Sequence, residues 1–187
     1  MKNISSWIFI GLVLLLTVFL DPVIAEVVAA LQLSCLTIFF NMITTLLFVL
    51  VLAGILSVAM INRRDYVRVY ELWASMLAAV VVSYLVKFIV MRPRPSADLF
   101  TPLVGLLDYS FPSTHAAVYF AVLPILGNKY PRIGRVWLVV AVFMSASRLY
   151  LGLHYLSDIL FGALLGLMLG NGVLWLERRY KLGRILK

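Results

Sequence analysis

Read along its length, the chain alternates between long apolar stretches and short polar breaks, without the one-in-two alternation of a half-buried strand. The run at 46–61 is interrupted only by Gly54 and Ser57. Six apolar segments can be drawn, at 4–20, 36–61, 71–91, 113–127, 133–148 and 157–176. Asp21-Pro22 reads as the stop of the first, because proline cannot continue the hydrogen-bond ladder. Residues 23–34 are mildly polar and read as a short interfacial helix or turn. A loop rich in proline follows the third segment, with Arg92-Pro93-Arg94-Pro95 and then Pro102, Gly105 and Pro112. The pattern predicts an all-α bundle of six transmembrane helices forming one domain over 1–187.

Composition sharpens the class. Of 187 residues, 64% are hydrophobic and 13% charged, and the mean hydropathy is +1.05. A soluble domain is about half apolar and about a quarter charged. Disorder, a nucleic-acid-binding surface protein and an ordinary soluble enzyme are thereby excluded, and the unbroken runs argue against a barrel. The single cysteine, Cys35, can make no intrachain disulfide and reads as a small apolar packing residue. The start resembles a signal sequence, with Lys2 before the first apolar run and a small-residue step at Val23-Ile24-Ala25. A retained anchor is the preferred reading, because the rest of the chain is itself membrane-bound. The fourth segment is short. At about 1.5 Å per residue it spans about 22 Å, less than a hydrocarbon core of about 30 Å. Its polar start, Pro112-Ser113-Thr114-His115, is therefore expected at or just below the membrane surface.

Charge changes the picture most. The chain carries 16 basic and 8 acidic residues, for a net +8. With a cytoplasmic N-terminus, the inner side receives Lys2, Arg63, Arg64, Arg68, Lys129, Arg132, Arg135, Arg178, Arg179, Lys181, Arg184 and Lys187. The outer side receives only Lys87, Arg92, Arg94 and Arg148. The positive-inside rule supports this orientation, with both termini cytoplasmic, and accounts for the inner set without any chemistry. The four outer cations violate the bias and need another reason.

The outer side also holds both histidines, His115 and His154, together with Asp98, Asp108 and Asp158. Ionisable groups at membrane depth mark function by default. Converging cations imply an anion, and the arginine fork suits a phosphoryl group. Pro112-Ser113 opening a helix adds backbone N–H groups and a positive dipole end, a seat for phosphate. His154 and Asp158 stand four apart, so on a helix they share a face, and the carboxylate can orient one ring nitrogen while the other serves as nucleophile or base. His115, with no carboxylate near it in sequence, is either a proton donor to a leaving oxygen or an ordinary packed residue. A metal site is the weaker reading, because the neighbouring cations oppose it.

Lys87-Phe88-Ile89-Val90-Met91-Arg92-Pro93-Arg94-Pro95 fits Lys-x6-Arg-Pro, Pro112-Ser113-Thr114-His115 fits Pro-Ser-x-His, and the stretch from Ser147-Arg148 through His154 to Asp158 fits Ser-Arg-x5-His-x3-Asp. Together these resemble the signature of the type 2 phosphatidic acid phosphatase superfamily, whose soluble cousins include vanadium haloperoxidases and bacterial acid phosphatases. The motifs cover 87–158. Thr114 departs from the usual glycine, and Arg92 is extra, since the spacing assigns the family role to Arg94. The resemblance implies the lipid phosphatase/haloperoxidase bundle. It implies that His154 attacks phosphorus to form a phosphohistidine, that Asp158 orients it, and that His115 protonates the leaving oxygen and then activates water. Lys87, Arg94, Ser113, the Thr114 backbone and Arg148 would hold the phosphoryl oxygens, with no metal and no other cofactor.

The function so implied is hydrolysis of a phosphate monoester or diphosphate of a membrane lipid at the extracytoplasmic face of the cell membrane. A polyprenyl diphosphate is the favoured substrate. Phosphatidic acid or phosphatidylglycerophosphate is the alternative, as is phosphotransfer from the same intermediate. Partners are the lipid substrate and the bilayer, with no nucleic acid. From another class, an anion channel or transporter could use the outer cations as a selectivity ring, but no inverted repeat is visible and the His154–Asp158 pairing has no use there. Residues 96–110 would either cap the site or anchor it at the interface.

Overall fold

The computed structural model describes residues 4–43, 45–95 and 109–181, and all its regular elements are helices. They are α1 (Ile4–Ala30), α2 (Ser34–Ile43), α3 (Leu46–Asn62), α4 (Tyr66–Val90), α5 (Thr114–Lys129), α6 (Pro131–Tyr150) and α7 (Leu156–Tyr180). Among the described residues, four stretches are long and apolar enough to cross a membrane: Gly11–Ala30, Tyr66–Val90, Pro131–Tyr150 and Leu156–Tyr180. α2 and α3, whose axes differ by 47°, make a fifth if the pair is counted as one span. Large apolar side chains such as Leu16 and Phe19 on α1 and Val139 and Val142 on α6 face outward. That is the expected surface where the solvent is lipid, which is as apolar as a protein core.

Two boundaries differ most from the sequence reading. α1 does not stop at Asp21-Pro22 but runs through Pro22 to Ala30. A proline costs a membrane helix one hydrogen bond, which neighbouring groups can offset, so it is a weaker stop here than in a soluble helix. The expected long span at 36–61 is broken into α2 and α3, whose axes diverge.

The core is built around α5. Ala116, Ala117, Val118, Tyr119, Ala121, Val122, Ile125 and Leu126 are all buried, so this helix meets protein on every side. Its closest neighbour is α7. Gly162, Gly166 and Gly170 lie four apart on one stripe of α7, and a Cβ on Gly166 would stand 2.2 Å from the Ala117 carbonyl oxygen. The small stripe lets two backbones touch, as in other membrane helix pairs. Trp137 of α6 closes the other side, its indole N–H donating to the Tyr119 carbonyl at 2.7 Å. The consequence for the site is exact registration. The first turns of α5 and α7 lie side by side, with the Ser113 N–H donating to the Asp158 carbonyl at 3.0 Å.

Candidate active site

α5 begins at Ser113, whose hydroxyl oxygen accepts the Ala116 N–H and caps the helix. Ser113 is fully buried, while Thr114 and His115 follow half-buried in the first turn. The Thr114 hydroxyl oxygen is buried without a hydrogen-bond partner. α7 begins one turn away, where the Asp158 carboxylate reaches back to accept the Tyr155 N–H at 2.8 Å. Just before it, Gly152 takes φ 67, a left-handed turn that carries the chain from α6 round to His154.

His154 is buried, and its ring Nδ1 lies 2.8 Å from the Ser110 carbonyl oxygen. Asp158 Oδ2 stands 3.8 Å from the same nitrogen. Asp158 therefore faces the ring at ion-pair range, while the direct hydrogen bond goes to Ser110. Burial pushes the imidazole down to about 4; Asp158 opposes that shift, and the charges of Arg94 and Lys87 reinforce it. The free site thus holds a neutral ring within the field of two cations.

Those cations are anchored by backbone carbonyls. The Lys87 ammonium, on the last turn of α4, donates to Tyr109. Arg94 donates to the Leu153 carbonyl at 3.0 Å. Ser110 in turn bonds back to the Arg92–Pro93 segment through its N–H and its hydroxyl. Residues 92–95, 109–113 and 153–158 are thereby knitted into one cluster. Arg148, half-buried in the last turn of α6, has its carbonyl bonded to the Leu153 N–H at 3.1 Å. All eight residues singled out by the motifs lie at this end of the bundle. Among the described residues, no group of three or more His, Cys, Asp or Glu side chains gathers as a metal would require. The expected cap at 96–110 falls almost wholly outside the described residues.

Sequence reasoning missed two members of this cluster. Arg92, set aside as extra, donates to Asp158 Oδ1 at 2.7 Å, to the Ser157 hydroxyl at 2.7 Å and to Asp21 at 2.8 Å. Asp21, read as a helix stop, is 1% exposed and accepts the Ser157 N–H as well. The one available signal was a lone carboxylate inside an otherwise apolar segment.

The sequence and the fold both have known relatives. The model of the PAP2 superfamily matches residues 68–181. The chain is 36% identical over 69 residues to the bacitracin transport permease protein BcrC of Bacillus licheniformis, covering 37% of this chain and 34% of the relative. It is 38% identical over 89 residues to phosphatidylglycerophosphatase B of Bacillus subtilis, covering 42% of each. The matches thus span well under half the length of these relatives. Among solved structures, a transmembrane PAP2-type phosphatidylglycerolphosphate phosphatase from Bacillus subtilis superposes with a TM-score of 0.68 at 24% identity, covering 92% of this chain and 96% of the other. LpxE of Aquifex aeolicus superposes with a TM-score of 0.65 at 20% identity, covering 83% and 95%.

Proposed function

The chain belongs to the PAP2 superfamily, and on that premise we propose that it is a membrane lipid phosphatase acting through a phosphohistidine. The observation that carries the reading is the buried, neutral His154, with Asp158 3.8 Å from its ring and Lys87 and Arg94 acting on it electrostatically. A neutral imidazole has the lone pair that attack on phosphorus requires. Nucleophile, cations and helix start then divide the work. Lys87, Arg94, Arg148, the Ser113 hydroxyl and the Thr114 N–H hold the phosphoryl oxygens and stabilise the charge that grows on them. His154 forms the bond to phosphorus as the bond to the leaving oxygen breaks, and His115 gives that oxygen its proton. His115 then takes a proton from water, whose oxygen displaces His154 and releases phosphate. Asp158 stabilises the positive ring in between.

The substrate proposed is a lipid phosphate presented at the outer face, with a polyprenyl diphosphate first. Phosphatidylglycerophosphate is the second reading, favoured by the likeness to phosphatidylglycerophosphatase B. Both leave an apolar tail in the bilayer while the phosphate reaches the short α5.

The test is phosphate release from a panel of lipid phosphates in detergent, with His154→Ala alongside. Wild type is expected to release phosphate and the variant to lose at least about a thousandfold in kcat. Orthovanadate, which adopts the five-coordinate geometry of phosphoryl transfer, should inhibit. A wild type silent on every lipid, or a fully active His154→Ala, ends this reading.

A further inference from the structure

Asp21 stands within a membrane-crossing helix and outside the 68–181 family match. Its carboxylate is wholly buried. A charge there is expensive unless it is paired and hydrogen-bonded. It is satisfied by Arg92 Nη2 at 2.8 Å, by the Ser157 N–H at 3.0 Å and by the Ser157 hydroxyl. The other guanidinium nitrogen, Nη1, binds Asp158 Oδ1 and the Ser157 hydroxyl, both at 2.7 Å. The face of the same guanidinium lies 4.0 Å over the Tyr155 ring. Arg92 therefore spreads its planar fork across two buried carboxylates from two helices. A lysine cannot do this, because an ammonium is a point donor.

The Asp158 carboxylate is consequently held at both oxygens. Oδ1 takes Arg92, while Oδ2 takes the Tyr155 N–H and faces His154 Nδ1. A tie between α1 and α7 alone would need only the Asp21–Ser157 bonds. The link through Arg92 goes further, to the carboxylate that faces the reacting ring.

We infer that Asp21 and Arg92 are positioning residues, which act through Asp158 to set the orientation of His154 and make α1 part of the support of the active site. This rests on His154 being the nucleophile. Without Asp21, Arg92 loses its second anchor and can swing on Asp158. Without Arg92, two buried carboxylates flank Ser157 with no shared counter-charge.

The test uses the full-length protein in detergent, comparing lipid phosphate hydrolysis and melting temperature in wild type, Asp21→Asn, Arg92→Gln and Arg92→Lys. Loss of such a supporting partner lowers kcat by about tenfold to a hundredfold, with KM within about twofold because the phosphate contacts remain. Arg92→Gln should lose more than Asp21→Asn, and Arg92→Lys should recover part. An unchanged kcat in Asp21→Asn, or a loss matched by the loss of folded protein, overturns the inference. Histidine ¹⁵N NMR gives a second readout that needs no turnover. The chain has two histidines, and His115→Asn assigns them. Asp21→Asn should move the His154 ring signals, and unmoved signals would reject positioning. A wild type that hydrolyses no lipid phosphate would sink the functional reading instead, and the spectrum would still decide this one.

Discussion

His154 exposes 2% of its surface, and burial disfavours its charged form more than any other influence. With its pKa pushed down to about 4, against an ordinary 6.5, the fold selects the neutral ring. Above the ordinary value the ring is neutral whether folded or unfolded; as pH falls from there through about 4, the unfolded chain takes up a proton that the fold excludes, and stability is lost. At pH 5.5 an ordinary histidine is about nine-tenths protonated, whereas His154 should remain neutral and nucleophilic. An NMR titration of the substrate-free protein should therefore find the His154 midpoint well below 6.5; a midpoint at or above it would contradict the burial argument. At this scale much of the cluster was legible. Lys87, Arg94, Ser113, His115, Arg148, His154 and Asp158 stand at a distinctive spacing, and their sign and side set them apart from the other charges. Asp21 and Arg92 were not legible, because their meaning lies in a bond between residues 71 positions apart. Nor could spacing show that Ser110, rather than Asp158, is the nearer partner of the His154 Nδ1.

Helix existence followed from the apolar runs, but helix partnership did not. Which helix touches which is decided by where backbones can approach, and on α7 that is written as three glycines four residues apart. The pattern was present in the sequence without a partner to give it meaning. It yields a contrast within a single helix. Gly166→Ala drives a methyl against the Ala117 carbonyl and the Ala121 N–H, so α5 and α7 must part. Overpacking of this kind costs about 1–3 kcal/mol, and the shift should also loosen the Ser113–Asp158 bond that aligns the two helix starts. Gly172 has open space around the same added atom, and Gly172→Ala should be neutral or stabilising by up to about 1 kcal/mol through helix propensity. Thermal melts of both variants in detergent provide the check. Equal melting temperatures would show that the stripe is not what joins the pair.

Across the whole molecule, polar groups gather at two opposite ends. At one, Asp65 between α3 and α4 meets Lys129 at 2.7 Å and the Tyr130 hydroxyl at 2.6 Å, joining the α3–α4 and α5–α6 turns. Arg63, Arg64, Arg68, Arg132 and Arg135 lie along the same two turns. At the other end sits the candidate active-site cluster, with four cations, Lys87, Arg92, Arg94 and Arg148, among buried carboxylates and carbonyls. By the positive-inside rule we propose that the first end is cytoplasmic and the second faces outside. Cys35, the sole cysteine, reports on this directly. It is exposed at the start of α2, not packed as its apolar surroundings suggest, and lies next to a segment bonded to Tyr150 at the candidate-site end of α6. A membrane-impermeant maleimide should therefore label Cys35 in intact cells. In a Cys35→Ser background, Asn62→Cys at the far end of α3 should label only after the membrane is broken. The reverse pattern would turn the site toward the cytoplasm. It would leave the four cations as ordinary inward charges, and remove the reason for expecting substrate from the outer leaflet.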